Sequence, residues 1–270
     1  MRDSFDPYAL LQKIRATSPL IHHITNVVTM YDCAQLAKSF GASPVMASAP
    51  EEAADMASLA SALVLNIGTL DEAQITAMTL AAKAANSKGI PVVLDVCGAG
   101  ATAYRDRTVA RLLAETHIDI IKGNASEIAS VAGAAAKTKG VDSGSVDGDI
   151  ATLAAQLAKA KAATVVVTGA VDIVTDGPRS YRIANGEAVM AKVVGTGCMA
   201  ATAIGCFATV ESDPVKAAVS GLLAYEIAAE QAVHVAPTPM AFKMSLFDKV
   251  FWLGPAALAE TQKVEECLFA

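Results

Sequence analysis

The chain has 270 residues, a formal net charge of −6, 53% hydrophobic residues and only 18% charged ones. A globular chain usually carries about 45–50% and ~25%, so a disordered chain, which lacks the apolar surface to offset its ordering entropy, is excluded, as is a collagen-like one. The pI of about 5.2 and the lack of any basic block leave no electrostatic footprint for nucleic acid.

In chain order, the N-terminal Met-Arg-Asp-Ser-Phe-Asp is acidic without an apolar core, and no signal peptide is expected there. Leu20–Ile24 reads as a strand and Thr29–Phe40 as a helix stopped by Gly41. Ala62–Leu65 is a strand, Asp71–Ser87 an Ala-rich helix ended by Gly89, and Pro91–Asp95 the next strand. Ile118–Ile121 is a strand, followed by a short helix to Val131 capped by Asn124. Lys137–Gly148, rich in Gly, Ser and Asp, reads as a surface loop. Ile150–Ala162 is helical, Thr164–Val167 a strand, and Val171–Asp176 with Ser180–Ala184 a hairpin around Gly177-Pro178. The remainder is helical, broken at Asp213-Pro214 and at Pro237-Thr238-Pro239. Within it, Val193 to Val210 carries no charge and reaches the ~18-residue length of a spanning helix. Its Gly195-Thr196-Gly197 opening and internal Thr202, Gly205 and Thr209 favour a turn and a buried helix, so no membrane partner is expected.

Strands alternating with helices predict an α/β fold, a mostly parallel central sheet with helices on both faces. Without linker, repeat or low-complexity tract, residues 1–270 form a single expected domain. The five cysteines show no C-x-x-C spacing, which suits reduced thiols and a cytoplasmic location. With aromatics at 5%, the core is built from aliphatic residues and Met, and so low a charge content implies deep burial or a surface shared between copies of the chain.

Ligands of such sheets bind outside the carboxyl ends of the strands. Four predicted strands end there in small or polar clusters: Asn66-Ile67-Gly68-Thr69, Asp95 to Thr102, Lys122 to Glu127, and Thr168-Gly169. A fifth cluster, Gly195-Thr196-Gly197-Cys198, precedes the uncharged helix, where converging amides and the helix dipole form an anion or phosphate site. No G-x-x-x-x-G-K-[ST] occurs, which excludes a P-loop. Gly98–Ala103 fits G-x-G-x-x-A, but Asp119, the acid a dinucleotide site would need, precedes its apolar run and cannot face the cleft.

These motifs together carry a resemblance. His22-His23-Ile24-Thr25-Asn26, Gly41 to Met46, Leu65 to Leu70, Asp95 to Thr102, Lys122 to Glu127, Val167-Thr168-Gly169 and Gly195 to Cys198, in this order, resemble the hydroxyethylthiazole kinases of the ribokinase-like superfamily nearly end to end. The resemblance implies transfer of the ATP γ-phosphoryl group to the primary alcohol of 4-methyl-5-(2-hydroxyethyl)thiazole in thiamin salvage. It further implies Mg²⁺ and a homotrimer with pockets where subunits meet. Carried over by position, it assigns Asn26, Met46, Gly68 and Gly195 to the thiazole side. Lys122, Asn124, Thr168 and Gly197 fall to ATP, Glu127 and Asp95 to the metal through water, and Cys198 to the base.

The chain departs from the family pattern in three places. Lys122 stands where Arg is usual and loses the bidentate fork. Asp95-Val96-Cys97 lacks a turn proline, and Pro237 to Phe242 replaces a glycine-rich loop. Each site residue also has a plain structural reading. Cys198 and Met46 are packing residues, Glu127 is the capping-box partner of Asn124, Asp95 caps a turn, and His22 and His23 fill a strand. Against the kinase stand a non-catalytic binder of thiazole-like ligands, a kinase for a related alcohol such as hydroxymethylpyrimidine, and a nicotinamide oxidoreductase resting on Gly98–Ala103 alone.

Overall fold

The protein is described by a computed structural model covering residues 5–133 and 146–267. In chain order the elements are α1 (Pro7–Thr17), β1 (Leu20–Ile24), α2 (Met30–Phe40), β2 (Ser43–Val45), α3 (Pro50–Leu59), β3 (Ala62–Asn66) and α4 (Glu72–Lys88). There follow β4 (Val92–Asp95), α5 (Ala103–Glu115), β5 (Ile120–Asn124), α6 (Ala125–Val131), α7 (Val146–Lys161) and β6 (Thr164–Thr168). The remainder comprises β7 (Asp172–Thr175), β8 (Ser180–Ile183), a 3-10 turn (Ala188–Lys192), α8 (Thr196–Ala208), α9 (Pro214–Val235), α10 (Pro239–Phe251), α11 (Pro255–Glu260) and β9 (Val264–Glu266).

The strands form one nine-stranded sheet in the order β2-β1-β3-β4-β5-β6-β7-β8-β9. Pairing is parallel from β2 through β6 and antiparallel from β6 to β9. Helices cover both faces, because alternate residues of each central strand are apolar in both directions. Val64, Val93, Ile120 and Val166 pack towards α1, α2, α8, α9 and α10. Leu63, Leu65, Val92, Leu94, Ile121 and Val165 pack towards α3 to α7.

Local chemistry explains the helix ends. Gly41 and Gly89 close α2 and α4 in the left-handed region at φ +98° and +75°, as their place after each apolar pattern predicts. Asp71 and Asp213 cap α4 and α9 through their carboxylates. The strand expected at Ile118–Ile121 instead runs Ile120–Asn124, because its ladder with β6 continues past the apolar run to Asn124↔Thr168. Lys122 and Asn124 are therefore strand residues, held in register. α1, β2, α3, α5 and β9 are findings beyond the sequence reading, and α7 begins at Val146 rather than Ile150. Most of the loop expected at Lys137–Gly148 lies outside the described residues.

The uncharged stretch is the turn and buried helix expected of it. α8 lies against the sheet and α9, and no helix among the described residues is long and apolar enough to cross a membrane. Its close fit comes from glycine. A Cβ on Gly205 would stand 2.4 Å from Val64 Cγ2, and one on Gly221 of α9 would stand 3.0 Å from the backbone of α8. Gly205→Ala is expected to destabilise the protein by about 1–3 kcal/mol through overpacking. Val64→Ala should offset part of that loss, so chemical denaturation of the two single variants and the double variant should give a double loss smaller than the sum of the singles.

Candidate active site

Parallel register sets the floor of the site. Asn66 pairs with Asp95 and Asp95 with Lys122 at the carboxyl ends of β3, β4 and β5. Counting in twos from Val64, Val93 and Ile120 puts all three side chains on the face covered by α8. Asn66 Nδ2 donates to Asp95 Oδ2 at 2.7 Å, and Lys122 Nζ stands 3.5 Å from Asp95 Oδ1. Just beyond β1, Asn26 Nδ2 donates to Asn66 Oδ1 at 2.9 Å and to Cys198 Sγ at 3.3 Å. Asn26 Oδ1 accepts from the amides of Val28 and Thr29 and from the Thr29 hydroxyl, which shapes the entry into α2. One polar row thus runs from the start of α2 to Lys122.

α8 stands over this row. Gly195 adopts φ +93°, and a Cβ there would come within 2.5 Å of Thr29 Cγ2, so both conformation and space require glycine. A Cβ on Gly197 would stand 3.2 Å from Lys122 Nζ, so the ammonium lies directly beneath the first turn of the helix. That turn carries no side-chain cap and no acidic residue. Its free amides and the Lys122 ammonium converge on one space, an arrangement that neutralises phosphate-like oxygens.

A second unit flanks the first. Glu127 and Asn124 form a full capping box at α6, and Glu127 Oε1 also accepts from the Gly98 amide at 2.7 Å. Glu127 Oε2 accepts from the Asn124 amide at 2.8 Å. The capping reading of Glu127 therefore holds, and the same carboxylate ties the loop after β4 to the end of β5. Arg105 of α5 donates to the carbonyls of Ile67, Gly68 and Cys97 and joins the loops after β3 and β4. It escapes a sequence reading because its partners are backbone carbonyls, which leave no residue pattern. Beside the end of β6 opens a cavity of about 870 Å³ lined by Asn124, Thr168, Gly169, Thr196 and Gly197 among others.

Of the residues singled out from sequence, Asn26, Gly68, Asp95, Lys122, Gly195, Gly197 and Cys198 come together. Gly68 is glycine by necessity, since a Cβ would meet Asn66 Oδ1 at 2.9 Å. Asn124 and Thr168 stand next to them along the cavity. Met46 is half-buried just after β2 and packs against the core cluster that includes residues of α2 and α8. Asn66, Thr29 and Arg105 are participants the sequence reading did not single out. His22 and His23 are strand-filling residues: His22 Nε2 bonds the Ala47 carbonyl at 2.7 Å and His23 Nε2 the Thr202 hydroxyl at 3.3 Å. Burial brings His23 down to about 4 and keeps it neutral. Asp119 Oδ2 accepts from the Val92 amide at the amino ends of β4 and β5, far from any cleft acid's place.

Charge in the row is tightly managed. Burial raises the Asp95 carboxyl above the ordinary aspartate value, and Lys122 reverses only part of that. Burial alone would lower Lys122, but Asp95, Glu127 and Cys198 outweigh it and hold the ammonium charged. The neighbouring Cys97 thiol is the main cause of a lowered Cys198 value; burial opposes it, and Thr29, Lys122 and Asn26 assist. Cys97 rises correspondingly and keeps its proton.

Among the described residues no group of three His, Cys, Asp or Glu side chains could cage a metal. Glu127 already takes an amide on each oxygen, and Asp95 takes Asn66 on one. Each carboxylate oxygen accepts more than one hydrogen bond. The remaining acceptor capacity therefore fits a hydrated Mg²⁺, which keeps several waters.

The lowered Cys198 value has a readable consequence. Its thiolate should persist below the ordinary thiol pKa of about 8.5 and vanish only as pH falls through the lower value. Iodoacetamide labelling followed by peptide mass mapping should show Cys198 alkylated at neutral pH while buried Cys33 and Cys206 stay protected. Cys97→Ala should move the Cys198 profile to higher pH; an unmoved profile would remove Cys97 as its cause.

Comparison with known proteins agrees with this geometry. The family model described as "Hydroxyethylthiazole kinase family" matches residues 11–255. A hydroxyethylthiazole kinase of Methanosarcina acetivorans is 51% identical over 256 residues, 95% of this chain and 98% of that protein. The solved hydroxyethylthiazole kinase of Pyrococcus horikoshii OT3 superposes with a TM-score of 0.90 at 38% identity, covering 97% of this chain and 99% of that one. A ribokinase-like superfamily protein of Enterococcus faecalis shares the fold, with a TM-score of 0.59 at 10% identity over 93% of this chain and 89% of that one. With one family model spanning most of its length, the chain belongs to the hydroxyethylthiazole kinase family.

Proposed function

We propose that this chain, working as one kinase domain, transfers the γ-phosphoryl group of ATP to the primary alcohol of 4-methyl-5-(2-hydroxyethyl)thiazole, a step of thiamin salvage. The observation that carries the reading is the convergence of the uncapped α8 turn, the Lys122 ammonium and the Cys198 thiol on one space. The α8 amides and Lys122 neutralise the phosphoryl oxygens, where positioning and charge neutralisation supply most of the catalysis. Cys198, its thiolate favoured by Cys97 and Asn26, takes the proton of the substrate hydroxyl. The hydroxyl oxygen bonds to the γ-phosphorus as the bond to the bridging oxygen breaks, and ADP leaves.

Asn26, Gly68 and Gly195 border the alcohol's side, and Met46, just after β2, offers a soft side chain to the thiazole. Asn124, Thr168 and Gly197 border the nucleotide cavity. Glu127 and Asp95 would hold a hydrated Mg²⁺ ion, which would supply charge neutralisation at the phosphates. Several exposed apolar residues lie near the same edge: Val27, Val28 and Tyr31 at the entry to α2, Val194 beside Gly195, and Met240 and Met244 on α10. α10 is held to α2 by Lys243 and Asp32 at 2.6 Å. This apolar rim supports a homotrimer whose subunits meet at the thiazole side, acting in the cytoplasm.

Incubation with ATP, Mg²⁺ and the thiazole alcohol, followed by ³¹P NMR, should yield the phosphate ester and ADP; ADP-free, ester-free mixtures would overturn the assignment. Cys198→Ala should lower kcat by about 10²-fold or more with little change in thiazole KM, while Cys198→Asp retains activity. Equal kcat for Cys198→Ala and the parent would remove the base. Lys122→Ala should raise the KM for ATP more than that for the thiazole; an equal rise in both would put Lys122 outside the phosphate contacts.

A further inference from the structure

The far wall of the 870 Å³ cavity holds two buried carboxyl groups that the transfer step does not use. Asp172, at the start of β7, and Glu226, midway along α9, both line it. Glu226 is 6% exposed, yet its Oε2 has no hydrogen-bond partner within the protein. Asp172 Oδ1 accepts from the Gly169 amide at 2.8 Å and so fixes the turn after Thr168. Burial, followed by the neighbouring Asp172 charge, raises Glu226 well above the ordinary glutamate value. Two neighbouring buried carboxyls do not both ionise, so Glu226 keeps its proton. A buried Oε2 without a partner is a costly state inside a protein.

Among the described residues, the lining of this cavity includes Glu187 as a third acid and no Lys or Arg. A phosphate chain brings only acceptors and negative charge, and is repelled here. It is attracted at the opposite end, where the α8 amides and Lys122 stand. A nucleoside brings what Glu226 lacks, an amino group on the base or a ribose hydroxyl. Two of the described carboxylates do not make a metal cage. Glu230, one turn further along α9, is already spent on Asn185, the Gly186 amide and Lys263, which anchors the loop beside Glu226.

We infer that Glu226, backed by Asp172, is a specificity-determining residue that accepts a hydrogen bond from the nucleoside half of the phosphoryl donor and so orients the nucleotide in the cavity. The inference rests on reading this cavity as the nucleotide site. Gln is the neutral mimic of the protonated Glu226 side chain and keeps an acceptor oxygen.

Calorimetric titration of ATP, ITP, 2′-deoxy-ATP and 3′-deoxy-ATP onto the parent, Glu226→Gln and Glu226→Ala, all with Mg²⁺, tests it. Glu226→Ala is expected to weaken ATP roughly tenfold, and Glu226→Gln to stay within about twofold of the parent. The one analogue that lacks the donor should bind the parent about as weakly as ATP binds Glu226→Ala, with no further loss on that variant. Which analogue does so tells base from ribose. ATP binding unchanged in Glu226→Ala, or equal losses for every analogue on parent and variant, overturns the inference while leaving the kinase assignment intact if the parent still forms the ester. A parent that binds no ATP overturns both.

Discussion

Asp95 and Lys122 are the contact on which the site depends. Both are almost wholly buried, on adjacent strands at the same register position, and among the described residues neither has another of opposite charge as close. Breaking a buried pair by removing one partner typically costs about 3–5 kcal/mol, because the survivor is left uncompensated. The pair therefore keeps a cation under α8 that the fold would not otherwise tolerate. At 3.5 Å the contact is loose, and the ammonium stands between two attractions, the carboxylate below and an incoming anion above. The polar row from Asn26 through Asn66 holds the carboxylate from the other side, so its orientation is fixed independently of the lysine.

The helix above the pair is positioned by absence of side chain. Gly195 against Thr29, Gly197 over Lys122, Gly205 against Val64 and Gly221 against α8 bring backbone to within reach of the sheet and of α9. A helix closely fitted on all sides has no room for charge, which accounts for the uncharged run from Val193 to Val210. The low charge of the whole chain has the same origin in part, since α8 and most of α9 are buried.

The parallel sheet, the two covering layers and the cluster of strand-end loops were legible because each rests on local rules: apolar alternation, glycine after a helix, a cap before one. The same rules marked Gly195–Cys198 as a glycine turn opening a helix, which the structure has there. The lysine-bearing strand was misplaced by two residues at its start and three at its end, since an apolar run does not reveal how far a ladder extends. Arg105 and Glu226 stayed hidden for a different reason. One binds carbonyls that every residue possesses, and the other sits in a long helix whose pattern reads as ordinary burial. The likeness to a known family supplied roles such as that of Met46, for which spacing and geometry in this chain give no separate signal.

Arg105 has an effect beyond joining two loops. In a planar trans peptide the N–H points opposite to the preceding C=O. A guanidinium that draws the carbonyls of Ile67, Gly68 and Cys97 inward turns the amides of Gly68, Thr69 and Gly98 outward. Two of those amides are met by side chains of the site, Gly68 by Asn66 and Gly98 by Glu127. A single cation thus sets the direction of three peptide dipoles in the loops after β3 and β4, two of them turned to side chains of the site.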